Sequence, residues 1–168
     1  MNTLNDFKER VKISFSEIKS LDDLRKEDEM VNQIFKISRQ IFDQDLDRMN
    51  LNWLVSRGGR LASIYAYLGN KSARSRAERD IYEQQRDEIL NRLTIEYYNE
   101  ADSKITLARA KAKQEVFPIE KIITIKEYEY KNLENLLNAT ERLVGFIQSA
   151  IKVKQSENFN SRDITDNA

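Results

Sequence analysis

Six cations fall between residues 57 and 79 of this 168-residue chain: Arg57, Arg60, Lys71, Arg74, Arg76 and Arg79. Glu78 is the one acid among them, so the stretch carries a net charge of +5. Tyr65, Tyr67 and Tyr82 lie close by in sequence. Guanidinium and ammonium groups grip phosphates while aromatic rings stack on bases, so this combination suits a single-stranded polynucleotide. The candidate contacts are Arg57, Arg60, Lys71, Arg74, Arg76, Arg79 and Tyr82. The flanking charge alternates: residues 80–103 hold seven acids and two cations, and residues 104–113 hold four cations and no acid. An alternative reading of such bands is a set of solvated faces that pair with the acidic regions of neighbouring subunits. A helix opening near Ser72 places cations against its own dipole, at ~0.3–1 kcal/mol each. A bound anion would offset that.

Other chemistries are excluded by composition. The chain has no Cys and no His. This removes disulfides, thiol nucleophiles, Ser-His-Asp triads, Cys/His zinc sites and histidine switching. Asp43-Gln44-Asp45-Leu46-Asp47 opens like a calcium loop, but Arg48 stands where the turn needs Gly and Leu54 where it needs Glu. Glu96 and Glu100 share a helix face without the histidine of a di-iron site. Arg57-Gly58-Gly59-Arg60 lacks the Lys-Ser/Thr of a phosphate-binding loop and reads instead as a close helix contact or a kink. No catalysis, cofactor or metal is expected. Lys plus Arg and Asp plus Glu both number 28, so any polyanion binding must rest on local patches. The first fifteen residues lack a signal-peptide core and no run approaches a membrane span, so a cytoplasmic location without membrane contact is expected.

The elements that position these residues are helical. With 4 Gly and 1 Pro the chain is too poor in turn formers for a sandwich or barrel. Leu4, Phe7, Val11, Phe15 and Ile18 form one helical stripe. Ser20, Asp22 and Asp23 suggest the cap of a second helix over about 21–48. Asn50 and Asn52 punctuate, and a shorter helix carrying Leu54, Leu61, Ile64, Tyr65 and Leu68 is expected to stop at Gly69-Asn70. From Ser72 to about Glu115 the spacing predicts one helix ~65 Å long. It ends at Phe117-Pro118, and Thr124-Ile125-Lys126-Glu127 has the form of a capping box that opens a helix over about 125–156. The expected fold is all-α: a long antiparallel, coiled-coil-like hairpin with helices at its N-terminal side. A rod of that length must lie against another long helix or another subunit. The expected organisation is a helical region over 1–49, a basic helix and hairpin over 50–156, and a disordered polar tail over 157–168.

A Trp-Leu pair (Trp53-Leu54) opens a basic helical stretch, followed by a cationic-aromatic helix and a polar middle. A closing helix ends Phe146-Ile147-Gln148-Ser149-Ala150-Ile151-Lys152. Over roughly residues 50–158 this order resembles the UvsY-like recombination mediators of tailed phages. The family's basic segment reads Lys-Ala-Arg-Leu-Asp-Tyr-Tyr, and the same frame here is Arg76-Ala77-Glu78-Arg79-Asp80-Ile81-Tyr82. Arg76, Ala77, Asp80 and Tyr82 agree. Glu78 departs where the family has its second cation, with Arg74 and Arg79 offering charge from neighbouring faces. The resemblance implies a non-catalytic, ring-forming helical protein that binds single-stranded DNA. Such a protein helps load a phage recombinase onto strands coated by single-stranded-DNA-binding protein, in the host cytoplasm. It also implies that the closing helix serves assembly, with Leu136, Leu143, Phe146, Ile147 and Ile151 as the expected oligomerisation residues. The alternative function is a structural or adaptor coiled-coil protein of phage assembly with no nucleic-acid role.

Overall fold

The computed structural model describes residues 28–45, 48–101 and 104–165. These form three helices, α1 (Glu29–Phe42), α2 (Leu51–Ala101) and α3 (Ile105–Thr165), and no strand among the described residues. The expected helix over 3–19 and the Ser20 cap lie outside them. The chain divides into two compact units, one of Met1–Gly69 with Asn132–Ala168 and one of Asn70–Lys131.

The first unit is a three-helix core. Asp28 caps α1, its Oδ1 accepting from the Met30 and Val31 amides at 3.0 and 3.4 Å. This satisfies two of the amides that a helix start leaves open. The stripe Val31, Ile34, Ile37 and Ile41 is buried against Leu54, Leu61, Ile64 and Leu68 of α2 and Leu136, Leu143, Phe146 and Ile147 of α3. Each such side chain contributes roughly 1.5–3 kcal/mol when taken from water. Two polar links tie α1 to α2: the Tyr67 hydroxyl donates to Asp28 Oδ2 at 2.8 Å, and Arg60 donates to Gln33. Asn50 caps α2, its Oδ1 accepting from the Asn52 amide at 2.8 Å.

Leu136, Leu143, Phe146 and Ile147, the expected oligomerisation residues, are fully buried inside this core, and Ile151 packs against it. Their apolar surface is consumed within one chain. Leu136, Leu143, Phe146 and Ile147 thus present no surface in this arrangement, while Ile151 stays half-buried.

The second unit contains only a stretch of α2 and a stretch of α3, packed against each other. Ser72, Ser75, Arg79, Tyr82, Arg86, Ile89 and Leu93 recur along α2 at alternating threes and fours, each buried or half-buried. Ala108, Ala112, Val116, Ile119, Ile123, Lys126 and Tyr130 do the same on α3. This is the narrow strip of a two-helix coiled coil.

Several expected boundaries are corrected. Helix α1 starts at Glu29 and not near residue 21. The helix expected to stop at Gly69-Asn70 continues, because the inward stripe passes through Leu68 to Ser72 and Ser75 without a change of phase. A helical Gly costs only ~1 kcal/mol relative to Ala. The chain reverses between Ala101 and Ile105, where the sequence reading had an unbroken helix. Pro118 lies inside α3. It removes one helical hydrogen bond, but on an exposed face where water can take the bereft carbonyl. Val116 and Ile123, both buried, keep the helix in phase across it. Thr124 is accordingly no cap: its hydroxyl donates to the Glu120 carbonyl at 2.9 Å. The polar segment expected as a disordered tail is helical through Thr165.

The Gly58-Gly59 pair is a close helix contact, since a Cβ on Gly58 would stand 3.2 Å from Ile147 Cγ2. Gly59 and Gly69 have nothing within 4 Å of that position. Gly59→Ala and Gly69→Ala are therefore expected to stabilise by up to ~1 kcal/mol each through helix propensity. Gly58→Ala should gain less or lose, because Ile147 must move. Urea unfolding midpoints of the three variants check this ordering.

Candidate functional site

The six cations expected to form one cluster have different surroundings, and they divide between the two units. In the first unit, Arg57 is half-buried with its guanidinium carbon 5.5 Å from the centre of the Trp53 ring. Its Nε is buried without an acceptor. Arg60, one turn on, is exposed, and its Nη2 and Nε donate to Gln33 Oε1 at 2.6 and 3.0 Å. A tryptophan face and a neutral amide hold these two guanidiniums, and neither makes an ion pair among the described residues.

In the second unit the charges are mostly compensated. Lys71 is half-buried and engaged by other groups of the protein. Arg74 is 82% exposed and pairs with Glu78 at 3.1 Å. Arg79 is only 18% exposed, which is where a strip position puts it. It bridges Asp80 at 2.6 Å and, across the hairpin, Glu127 at 2.5 Å. Its guanidinium carbon also sits 5.4 Å from the Tyr130 ring centre. Arg76 is exposed and makes no ion pair or side-chain hydrogen bond among the described residues. Tyr82 is half-buried on the strip. Residues two apart on a helix point about 160° apart, so Arg74 and Arg76 face opposite ways. The cluster legible in the sequence is not one surface.

Glu78 and Arg79 of α2 meet Lys126 and Glu127 of α3 with the signs reversed: Lys126 reaches Glu78 at 3.1 Å while Arg79 reaches Glu127. Lys126 also pairs with Glu129 at 3.0 Å, and Lys131 with Glu127 at 2.9 Å. These α3 partners have no signal in the sequence until the helix break between Ala101 and Ile105 is known. The hydrogen bonds of Lys126 and then Arg74 hold the Glu78 carboxyl below its usual range. Those of Arg79 and then Lys131 do the same for Glu127. Hydrogen bonds to Glu127 and Asp80 push the Arg79 guanidinium up, and those to Glu129 and Glu78 push the Lys126 ammonium up.

Apart from Arg76 and Arg92 on α2, the uncompensated cations of this unit lie on α3. Lys104, Arg109, Lys111 and Lys113 are all exposed and make no ion pair or side-chain hydrogen bond among the described residues. The ammonium of Lys121 lies 4.7 Å from the Phe117 ring centre, and Phe117 is itself 53% exposed. No group of acids suited to a metal ion occurs among the described residues, and none of the described helices is long and apolar enough to cross a membrane. No protein-family model, curated protein or solved structure matches this chain.

The depressed carboxylates set a pH dependence. A carboxyl whose pKa falls on folding gives its full stabilisation above its unfolded value, ~4.3 for Glu, and loses it as pH falls through the folded value. The thermal midpoint followed by circular dichroism is expected to stay flat from about pH 6 to 8 and to fall below about pH 4. Glu127→Gln should lower the neutral-pH midpoint and flatten the acid limb. An acid limb unchanged by that substitution would contradict the assignment.

Proposed function

We propose that this chain is a non-catalytic protein that binds single-stranded DNA and serves as a recombination mediator, working as a homo-oligomer. The observation that carries the binding is the state of Arg57 and Arg60. Both guanidiniums are pre-positioned one helical turn apart, and both are held by neutral groups. An arginine fixed without a carboxylate keeps its full charge for an incoming phosphate and loses little side-chain freedom on binding it. The Trp53 ring holds the Arg57 guanidinium in place, with its Nε buried. In the second unit, Arg76 is likewise exposed with no ion pair among the described residues. The mediator role, with a phage recombinase and a single-stranded-DNA-binding protein as partners, rests on the resemblance of residues 50–158 to UvsY-like proteins. Repetition of these cations over several copies would raise affinity through avidity.

A structural or adaptor role is the second reading. It is favoured by exposed apolar side chains in the second unit, among them Ile81, Ile95, Tyr98, Ile125 and Tyr128. It expects no response to oligonucleotide at any salt concentration.

Fluorescence anisotropy of a labelled oligothymidine separates the two. Binding is expected to weaken steeply with salt, as condensed counterions are released from the strand. Arg57→Ala with Arg60→Ala should weaken it on the order of tenfold and lower the log–log salt slope by about 1.4, at ~0.7 per lost single-strand contact. Helix content should stay unchanged. Unaltered affinity in that double variant would reject the assigned residues. Substituting Arg79 is expected to act chiefly on stability, because its charge is already matched by Glu127 and Asp80.

A further inference from the structure

Arg109, Lys113, Phe117 and Lys121 recur at every fourth residue of α3. Positions four apart rise ~6 Å and drift ~40° around a helix, so the four form one continuous ridge. All four are exposed. The ring of Phe117 is more than half exposed, and the Lys121 ammonium lies over it. An exposed phenyl ring gains nothing from water, and a cation–π contact at an exposed site contributes only ~0.5–1 kcal/mol. Lys104 and Lys111 add charge on a neighbouring face.

Over residues 104–121 five cations stand against Glu115 and Glu120, and none of them makes an ion pair among the described residues. The acids of α2 that the structure describes do not pair with them either. Glu83 is paired with Arg79 and Asp87 with Arg86, while Glu88 accepts from Gln84.

We infer that this ridge is a second contact for a single-stranded polynucleotide, distinct from Arg57 and Arg60. Arg109 and Lys113 meet successive phosphates, Lys121 meets the second phosphate beyond Lys113, and Phe117 stacks a base between Lys113 and Lys121. The spacing along the ridge is comparable to that of phosphates on an extended strand. The alternation of cations with an exposed ring is what a sequence-tolerant groove uses, since every base has a face to stack. An acidic protein surface would use the cations but would leave the phenyl ring without a partner. A duplex would match some of the phosphates and hide its bases. The inference rests on the binding function proposed above and extends it to a separate helix.

The test uses the full chain, a fluorescein-labelled oligothymidine and a salt titration. Arg109→Ala/Lys113→Ala/Lys121→Ala is expected to weaken binding on the order of tenfold or more and to reduce the salt slope by about 2. Phe117→Ala should weaken it roughly fivefold or more while leaving the slope unchanged, because stacking releases no counterions. The charge-preserving Arg109→Lys/Lys113→Arg/Lys121→Arg should retain the wild-type slope. All positions are exposed, and circular dichroism checks that helix content is kept. Wild-type affinity and slope in the triple-alanine variant would overturn this inference while leaving Arg57 and Arg60 in place. Loss of self-association in sedimentation, with oligonucleotide binding intact, would also overturn it by assigning the ridge to a protein contact. No binding by the wild-type chain at low salt would remove both this ridge and the function on which it rests.

Discussion

Residues 70–131 form a unit of two helices, so whatever fixes one against the other must lie on a single strip of each. Few of the large apolar groups on that strip are fully buried, Tyr82, Ile89, Leu93, Ile119 and Tyr130 being only half-buried. Its buried hydrophobic residues are Ala108, Ala112, Val116 and Ile123, and on α2 the buried positions nearest its start are Ser72 and Ser75. Hydrophobic stabilisation scales with the area removed from water, so this strip specifies register only weakly. The crossed bridges between Glu78 and Lys126 and between Arg79 and Glu127 supply what the apolar contacts lack. A slip of one turn would bring unmatched charges together, as with the polar and charged positions that set register in coiled coils generally. The cost is that the pairing depends on ionisation and on ionic strength.

The first unit follows the opposite logic. Its core holds Phe146 and a dense set of Ile and Leu from three helices, and its polar links lie at the edges. Because that core is apolar, the arginines at its margin are not needed to hold it together, and neutral groups suffice to position them. Arg57 and Arg60 are accordingly left without an ion pair among the described residues. The ridge on α3 belongs to the other unit, on exposed positions away from the crossed bridges that fix its register.

Much of this was legible in the sequence, in proportion to how local each cause was. The all-helical class, the stripe of α1 after residue 31 and the punctuation at Asn50 come from spacing and capping within a few residues. Three strong local signals misled. Gly69, Pro118 and the box-like Thr124–Glu127 each mark a helix end in isolation, yet each was overridden by a strip that keeps its phase through them. The break between Ala101 and Ile105 falls where the sequence has neither Gly nor Pro to mark a helix end. The fate of the cations was illegible for a related reason. Arg79 is neutralised by a residue 48 positions away, which no reading of neighbours along the chain finds. The apolar run Leu136–Ile151 suggested an assembly surface because the sequence does not show that α1 and the start of α2 already cover it.

The central claim is that charge holds residues 70–131 while apolar burial holds the rest of the described fold. Hydrogen exchange followed by mass spectrometry at low and at roughly molar salt tests it most directly, since the screening length falls to ~3 Å at 1 M. Peptides from within 70–131 should lose protection at high salt, while those from 29–42, 51–69 and 132–157 keep it. Equal loss across all segments, or protection of 70–131 that salt does not alter, would contradict the account.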